Sequence, residues 1–316
     1  MSAYFASLNI LKLAKNLPGG VSQGIIWGIM ALGIYITFRL LDVADLTVDG
    51  SFTTGGAVTV MLILAGWPAW AAILVAILAG MLAGLITGLL HTKLGIPAIL
   101  AGILTQLSLY SINLRIMGMS ANKAVSVDKY GLLLSSRNIP KAILIGAIFA
   151  LALISVMYWY FGTEQGSAIR ATGNNPHMSR ALGININAMK VLGLSLSNGI
   201  VALAGGLMSQ YQGFVDINMG RGAIVIGLAA VIIGEVIGNA LLGKHLNFYG
   251  TLVFVVLGGV LYYLVIILVL WLKLNSNDLK LFTAVIVALF LAVPYLRSQR
   301  ISSFAKFRKK GADRNA

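Results

Sequence analysis

Few side chains in this 316-residue sequence could do chemistry, and none falls in a catalytic pattern. With no cysteine there is no thiolate nucleophile, disulfide or thiolate metal site. His-Glu-x-x-His and Gly-x-Ser-x-Gly are both missing, and no paired acids or His/Asp/Glu cluster is spaced to hold a metal. The expected sets of catalytic residues, metal ligands and resident cofactors are therefore empty. The run Gly238-Asn-Ala-Leu-Leu-Gly243-Lys244-His245 copies the first seven positions of a phosphate-binding P-loop. It places His where the magnesium-binding Ser or Thr belongs, and an apolar span precedes it instead of a strand, so ATP binding is not expected.

What remains is a handful of polar groups inside apolar stretches. Glu235 is the acid read as lying well inside a span, where an ionisable group is costly and marks a functional candidate by default. A hydrogen bond that pins two helices is its competing role. Asn198, Gln210 and Gln212, like Gln106 and Asn113, are uncharged groups at membrane depth or near the outer mouth, suited to line a pathway or to glue helices together. Asp49 belongs to a Lys-free cluster with Asp42 and Asp45, placed on the outer face. Glu235, Asn198, Gln210, Gln212 and Asp49 are the candidate pathway or gating residues. Arg39 and Arg115, near the outer ends of spans, read as snorkelling cations.

The elements that position these groups follow from composition. Apolar residues make up 59% of the chain and charged residues only 10%, against roughly a quarter in soluble domains. Phe52–Leu90, Leu94–Leu114, Ala142–Thr163, Val191–Val215 and Leu246–Leu272 carry no charge at all. A hydrocarbon core of about 30 Å needs roughly 20 helical residues, so the expected fold is an all-α polytopic membrane protein. Eight full spans are expected at 21–41, 69–90, 96–118, 141–162, 190–212, 224–243, 247–271 and 279–296. The shorter Phe52–Gly66 piece, opening Thr-Thr-Gly-Gly, reads as a broken or re-entrant segment. Residues 1–20 read as a cytoplasmic interfacial segment without a removable signal peptide, 21–296 as the transmembrane domain and 297–316 as a basic cytoplasmic tail that contacts anionic lipid.

Eight crossings put both termini on one side, with the loops at His91–Gly95, Glu164–Met189 and Lys244–Asn247. That side carries fourteen basic residues against Glu164 and Asp313, and the other carries nine basic against six acidic. Positive-inside then sets both termini in the cytoplasm of a bacterial plasma membrane. Topology thus accounts for the net charge of +14, and no nucleic-acid partner is expected. Gly80, Gly84 and Gly88 share one helix face, as do Gly234 and Gly238, for close helix packing within the chain or at a seam between two copies. Val48-Asp49 leading to Gly56-Ala57-Val58 and Val215-Asp216 leading to Gly222-Ala223-Ile224 suggest a faint internal repeat.

The longest cytoplasmic loop, 163–190, is more structured than a connection requires. Gly166 to Thr172 can form one or two helical turns, with Gly173 as a left-handed stop. Asn175-Pro176 reads as an N-cap with proline at the first helical position. A second helix then carries His177 and Arg180 and stops at Gly183, with Arg170, His177 and Arg180 free to face a cytoplasmic partner.

This stretch, Gly166-Ser-Ala-Ile-Arg-Ala-Thr-Gly-Asn-Asn-Pro-His-Met-Ser-Arg-Ala-Leu-Gly-Ile184, resembles the coupling loop of ABC-importer permeases in the ribose and branched-chain amino-acid superfamily. Asp45-Leu-Thr-Val-Asp-Gly-Ser-Phe52, His91-Thr-Lys-Leu-Gly95 and Gln212-Gly-Phe-Val-Asp-Ile-Asn-Met-Gly220 narrow the resemblance to permeases labelled tryptophan/tyrosine transport systems. It covers Val21 to Leu296 and departs from the pattern in lacking an acid near His177. The resemblance implies that Gly166, Arg170, Gly173, Asn175, Pro176, His177, Arg180 and Gly183 form an ATPase-coupling loop. It also implies a second permease copy, a cytoplasmic ABC ATPase and an extracytoplasmic substrate-binding protein, lipid-anchored or periplasmic. An ion-coupled secondary transporter is the alternative. It would usually place several acids at midplane, and it leaves the capped loop unexplained.

Overall fold

A computed structural model of the chain describes residues 10–127, 129–243 and 246–271, with positions 281, 284, 285, 288 and 292 beyond them. Among the described residues seven helices are long and apolar enough to cross a membrane. They are α1 (Ile10–Tyr35), α3 (Ala69–Thr92), α4 (Ala98–Ile116), α5 (Ile139–Gly162), α8 (Ile186–Gln212), α9 (Ala223–Leu241) and α10 (Phe248–Trp271). A shorter apolar helix, α2 (Val48–Leu64), lies among them, and α6 (Glu164–Asn174) and α7 (Pro176–Ala181) bridge α5 and α8. Two three-residue strands, β1 (Asn122–Ala124) and β2 (Phe214–Asp216), pair antiparallel with Lys123 opposite Val215. The expected span at 279–296 and the basic tail lie outside the described residues, single positions apart.

Small residues set the packing. Cβ atoms at Gly80 and Gly84 of α3 would overlap backbone atoms of Asn198 and Leu194 on α8, so the glycine face seats within the chain. Gly55 of α2 meets the Ala202 backbone, Gly205 of α8 meets the Phe52 carbonyl, and Gly258 of α10 meets Ala230 of α9 in the same way. In lipid no hydrophobic drive joins helices, and close approach gains dispersion instead. The central column is α8, 78% buried along its apolar window, whereas α4 and α5 are 28% buried and offer broad faces to their surroundings.

The segment expected to be broken or re-entrant is a continuous helix, α2. The break lies ahead of it. A π-helical turn, Ile36–Leu40, ends the first span, and residues 41–47 then run back into the bundle without helical structure. Leu41, Val43, Asp45 and Thr47 point inward in alternation, and Asp42 takes a positive φ of 53° at the reversal. Backbone of this kind is tolerated at membrane depth only where protein surrounds it. Residues 41–64 together complete a crossing that the span count omitted.

That extra crossing moves the N-terminal side. Gly19 of α1 lies against Ile139 and Tyr211, at the start of α5 and the end of α8, whereas Leu40 lies against Gly173 in the 163–190 loop, the one read from sequence as a coupling loop. The start of α1 and the coupling loop therefore occupy opposite ends of the bundle and cannot both be cytoplasmic. No break marks residue 20, for α1 runs from Ile10 through Pro18. The suggested internal repeat also finds no structural match: Val48-Asp49 opens a helix, whereas Val215-Asp216 is strand.

Candidate functional site

The coupling loop folds as two short helices with defined ends. The Asn175 side chain accepts the Met178 N–H at 3.0 Å, and Pro176 occupies the first helical position of α7, as read from sequence. Gly183 ends α7 with φ +82°. Its N–H reaches the Arg180 carbonyl and that of Ile184 reaches Ser179, each at 3.0 Å, closing the last turn by the double C-terminal bond pattern. Met178 and Leu182 are 59% and 65% exposed, and His177 and Arg180 are exposed beside them. This small ridge is mixed in character, apolar and cationic, and it is exposed among the described residues.

Gly173 is not the stop it was expected to be, since α6 continues through it to Asn174. It is small for another reason: a Cβ there would overlap the Leu40 carbonyl oxygen. Gly166 has the same property against the Tyr160 carbonyl. Arg170 lies over the Phe248 ring, 5.6 Å from its centroid, and ties α6 to the start of α10. The coupling loop is thereby fixed to the π-helical end of α1 and to α10.

Glu235 has a charged partner. The Arg39 guanidinium, on the π-helical turn, donates through Nε at 2.7 Å and Nη2 at 2.5 Å to its two carboxylate oxygens. Arg39 is therefore not a cation snorkelling at the outer end. It sits at the coupling-loop end and clamps α9 to the turn on which Gly173 rests. Planar two-point geometry of this kind fixes orientation as well as distance.

A second polar cluster lies near the middle of α8. Asp45, 3% exposed, accepts from the Asn198 side chain at 2.7 Å and from the Thr47 N–H at 2.9 Å. Ser51 Oγ donates to the Asn198 side-chain oxygen Oδ1 at 2.6 Å. Thr47, Thr87 and Thr105 continue the chain of bonds across α3 and α4 at 2.8 and 2.9 Å. Asp45 was placed on the outer face from sequence; it is in fact a deeply buried acid. The sequence signal was Asp45-Leu-Thr47, an acid two residues before Thr, the spacing of a side-chain-to-backbone turn. Asn198 is wholly enclosed in this cluster. Gln210 is likewise buried and accepts from the Leu133 N–H at 3.0 Å, and Gln212 is half-buried at the end of α8.

Toward the opposite end of the bundle from the coupling loop, a cavity of about 400 Å³ opens between α2, α4 and the loop ahead of α9. Asp49, Gln106, Tyr110, Asn113 and Arg221 line it with Leu107 and Ile217. The two Asp49 oxygens accept the Gly222 and Ile224 N–H groups at 2.9 and 3.0 Å, so Asp49 caps α9 across the bundle. Of the five candidate pathway residues, Asp49 alone borders this cavity. Sequence reasoning missed Arg221, whose only signal was a lone cation between glycines in Gly220-Arg-Gly222.

Comparison with known proteins gives the family. Residues 16–294 match the family model described as branched-chain amino acid transport system, permease component. A tyrosine transport system permease protein of Clostridioides difficile (strain R20291) is 38% identical over 272 residues, 86% of this chain and 89% of that one. An autoinducer 2 import system permease protein, LsrC, of Yersinia pseudotuberculosis serotype O:1b (strain IP 31758) is 32% identical over 238 residues, 74% of this chain and 64% of that one. Among solved structures, PsaBC from Streptococcus pneumoniae in complex with Fab covers 81% of this chain and 95% of its own at 18% identity, with a TM-score of 0.42. The family match spans nearly all of the chain, and the helices it covers include those that build the cavity and the two short helices α6 and α7. This chain belongs to the branched-chain amino-acid transport system permease family, as a multi-pass protein of the cell membrane and the permease component of an ABC-type transporter.

Proposed function

We propose that the chain forms half of the translocation path of an ATP-driven amino-acid importer, with aromatic amino acids as the favoured cargo. A second copy of the permease completes the path, an extracytoplasmic binding protein delivers the substrate, and a cytoplasmic ATPase seats on α6 and α7. The observation that carries this reading is the coupling platform. Its exposed ridge at His177, Met178, Arg180 and Leu182 is capped at both ends and joined through Gly173 and Leu40 to the Arg39–Glu235 pair. Force applied to such a ridge reaches α1 and α9 without slack. The name of the Clostridioides difficile relative supports the aromatic preference.

The test is Arg180→Glu in the assembled transporter. Reversing an exposed charge on α7 should leave insertion and permease pairing intact while weakening co-purification of the ATPase and lowering substrate-stimulated ATP hydrolysis. ATPase association equal to wild type would refute the platform's role.

One observation favours a second reading. Asp45, buried near the middle of the bundle among Asn198, Ser51 and Thr47, is the kind of group an ion-coupled transporter uses. Uptake into proteoliposomes driven by a proton or sodium gradient, with neither ATPase nor ATP present, would establish that alternative.

A further inference from the structure

The cavity beside Asp49 holds opposite charges that do not meet. Among the described residues the ion pair is Arg39–Glu235, so the Asp49 carboxylate and the Arg221 guanidinium border the same space without closing on each other. Asp49 spends one lone pair of each oxygen on the Gly222 and Ile224 N–H groups and keeps the others. Arg221 is exposed on a turn, with its backbone N–H bonded to the Asn218 carbonyl at 3.0 Å.

A third group points to a ligand independently. Asn113 is 1% exposed, and its Nδ2 donates to the Gly50 carbonyl at 3.4 Å, but its Oδ1 is buried without any donor. A buried acceptor left unpaired costs about 1–3 kcal/mol, so a side chain of this kind facing a cavity calls for a donor from outside the chain. Beside a carboxylate, that donor is best a cation.

The space suits a small molecule, since such sites run from about 300 to 1,000 Å³. Its walls combine the Asp49 carboxylate and the Asn113 side chain on one side, a guanidinium on another, and an apolar rim at Leu107, Tyr110 and Ile217. A zwitterion satisfies all three. We infer that this cavity is a transit site for a free α-amino acid, with its ammonium at Asp49 and the Asn113 oxygen, its carboxylate at Arg221 and its side chain against Tyr110 and Leu107. The inference rests on the amino-acid importer reading and adds to it that the permease itself inspects the cargo's two charged ends.

The experiment uses the full chain with its ATPase in lipid nanodiscs, without nucleotide and without the binding protein. Equilibrium binding of L-tyrosine is compared with tyramine, which lacks the carboxylate, and 3-(4-hydroxyphenyl)propionate, which lacks the ammonium. Wild type should bind each analogue about tenfold or more weakly than tyrosine, the scale of one lost charge-assisted bond. Arg221→Gln, a substitution on an exposed turn, should weaken tyrosine about tenfold without weakening tyramine. Asn113→Ala should weaken tyrosine and tyramine alike and spare the propionate. Equal affinity for all three compounds, an Arg221→Gln profile identical to wild type, or no measurable binding of tyrosine while the complete transporter imports it would each overturn the transit site and leave the importer reading standing. If the complete transporter, with ATP, moves none of L-tyrosine, L-tryptophan or L-leucine, the importer reading fails and takes the transit site with it.

Discussion

Two acids, similar on paper, have unlike tasks. Glu235 faces a guanidinium and Asp45 faces an amide and a backbone N–H, and the consequences of losing each differ accordingly. Because Arg39 is half exposed, water screens part of the pair, and its worth in stability is at most about 1 kcal/mol. Its value is geometric, since it holds α9 against the turn that supports the coupling loop. Glu235→Gln should therefore express near wild-type level yet lower ATP-driven uptake several-fold, and Glu235→Leu should lower it further. The exchange Arg39→Glu with Glu235→Arg should restore much of the loss. Uptake by either single variant equal to wild type would mean that the clamp is idle. Asp45→Leu instead strands the Asn198 amide and the Thr47 N–H in a dry interior, which costs several kcal/mol and should abolish stable expression.

At the scale of elements, glycine decides where helices touch. Gly173 sits inside α6, so its substitution meets no forbidden φ; the obstacle is the Leu40 carbonyl oxygen. Even the single methyl of Gly173→Ala should push α6 away from the end of α1, destabilising the contact by about 1–3 kcal/mol as overpacked sites do. Nucleotide hydrolysis should then lose its stimulation by substrate. Gly162, the last residue of α5, has open space around its missing Cβ, so Gly162→Ala serves as the matched control and should behave as wild type. Gly183 differs from both. With φ at +82° it needs a left-handed backbone, and Gly183→Val should cost about 1–2 kcal/mol and fray the end of α7.

For the molecule as a whole, the reversal at residues 41–47 is the deciding feature, because it turns an apparent loop into the first part of a crossing. The chain contains no cysteine, so single introduced thiols report topology cleanly. A cysteine at His177 and one at Lys15, both exposed positions, should react with a membrane-impermeant maleimide from opposite faces of sealed vesicles. Labelling of both from the same face would contradict the arrangement of α1 described above.

The membrane class, seven of the long spans and the two-helix shape of the 163–190 loop were legible in the sequence because each rests on local rules. An uncharged run of twenty residues can only be helix in hydrocarbon, and Asn175-Pro176 and Gly183 mark helix ends through their own side chains and backbone freedom. Tertiary structure decided everything that depends on what a residue meets. Hydropathy ranks Asp42, Asp45 and Asp49 alike, yet one lies exposed at a reversal, one is buried at Asn198 and one caps α9 from across the bundle. Gly173 carries the composition of a helix stop and serves as a point of contact, because its role is set by Leu40, far away in the chain. The side on which α1 begins followed the same logic. A non-helical reversal of seven residues at membrane depth leaves no mark in hydropathy, and it is held there because α3 and α8 bond its Thr47 and Asp45 side chains and α4 packs against its backbone.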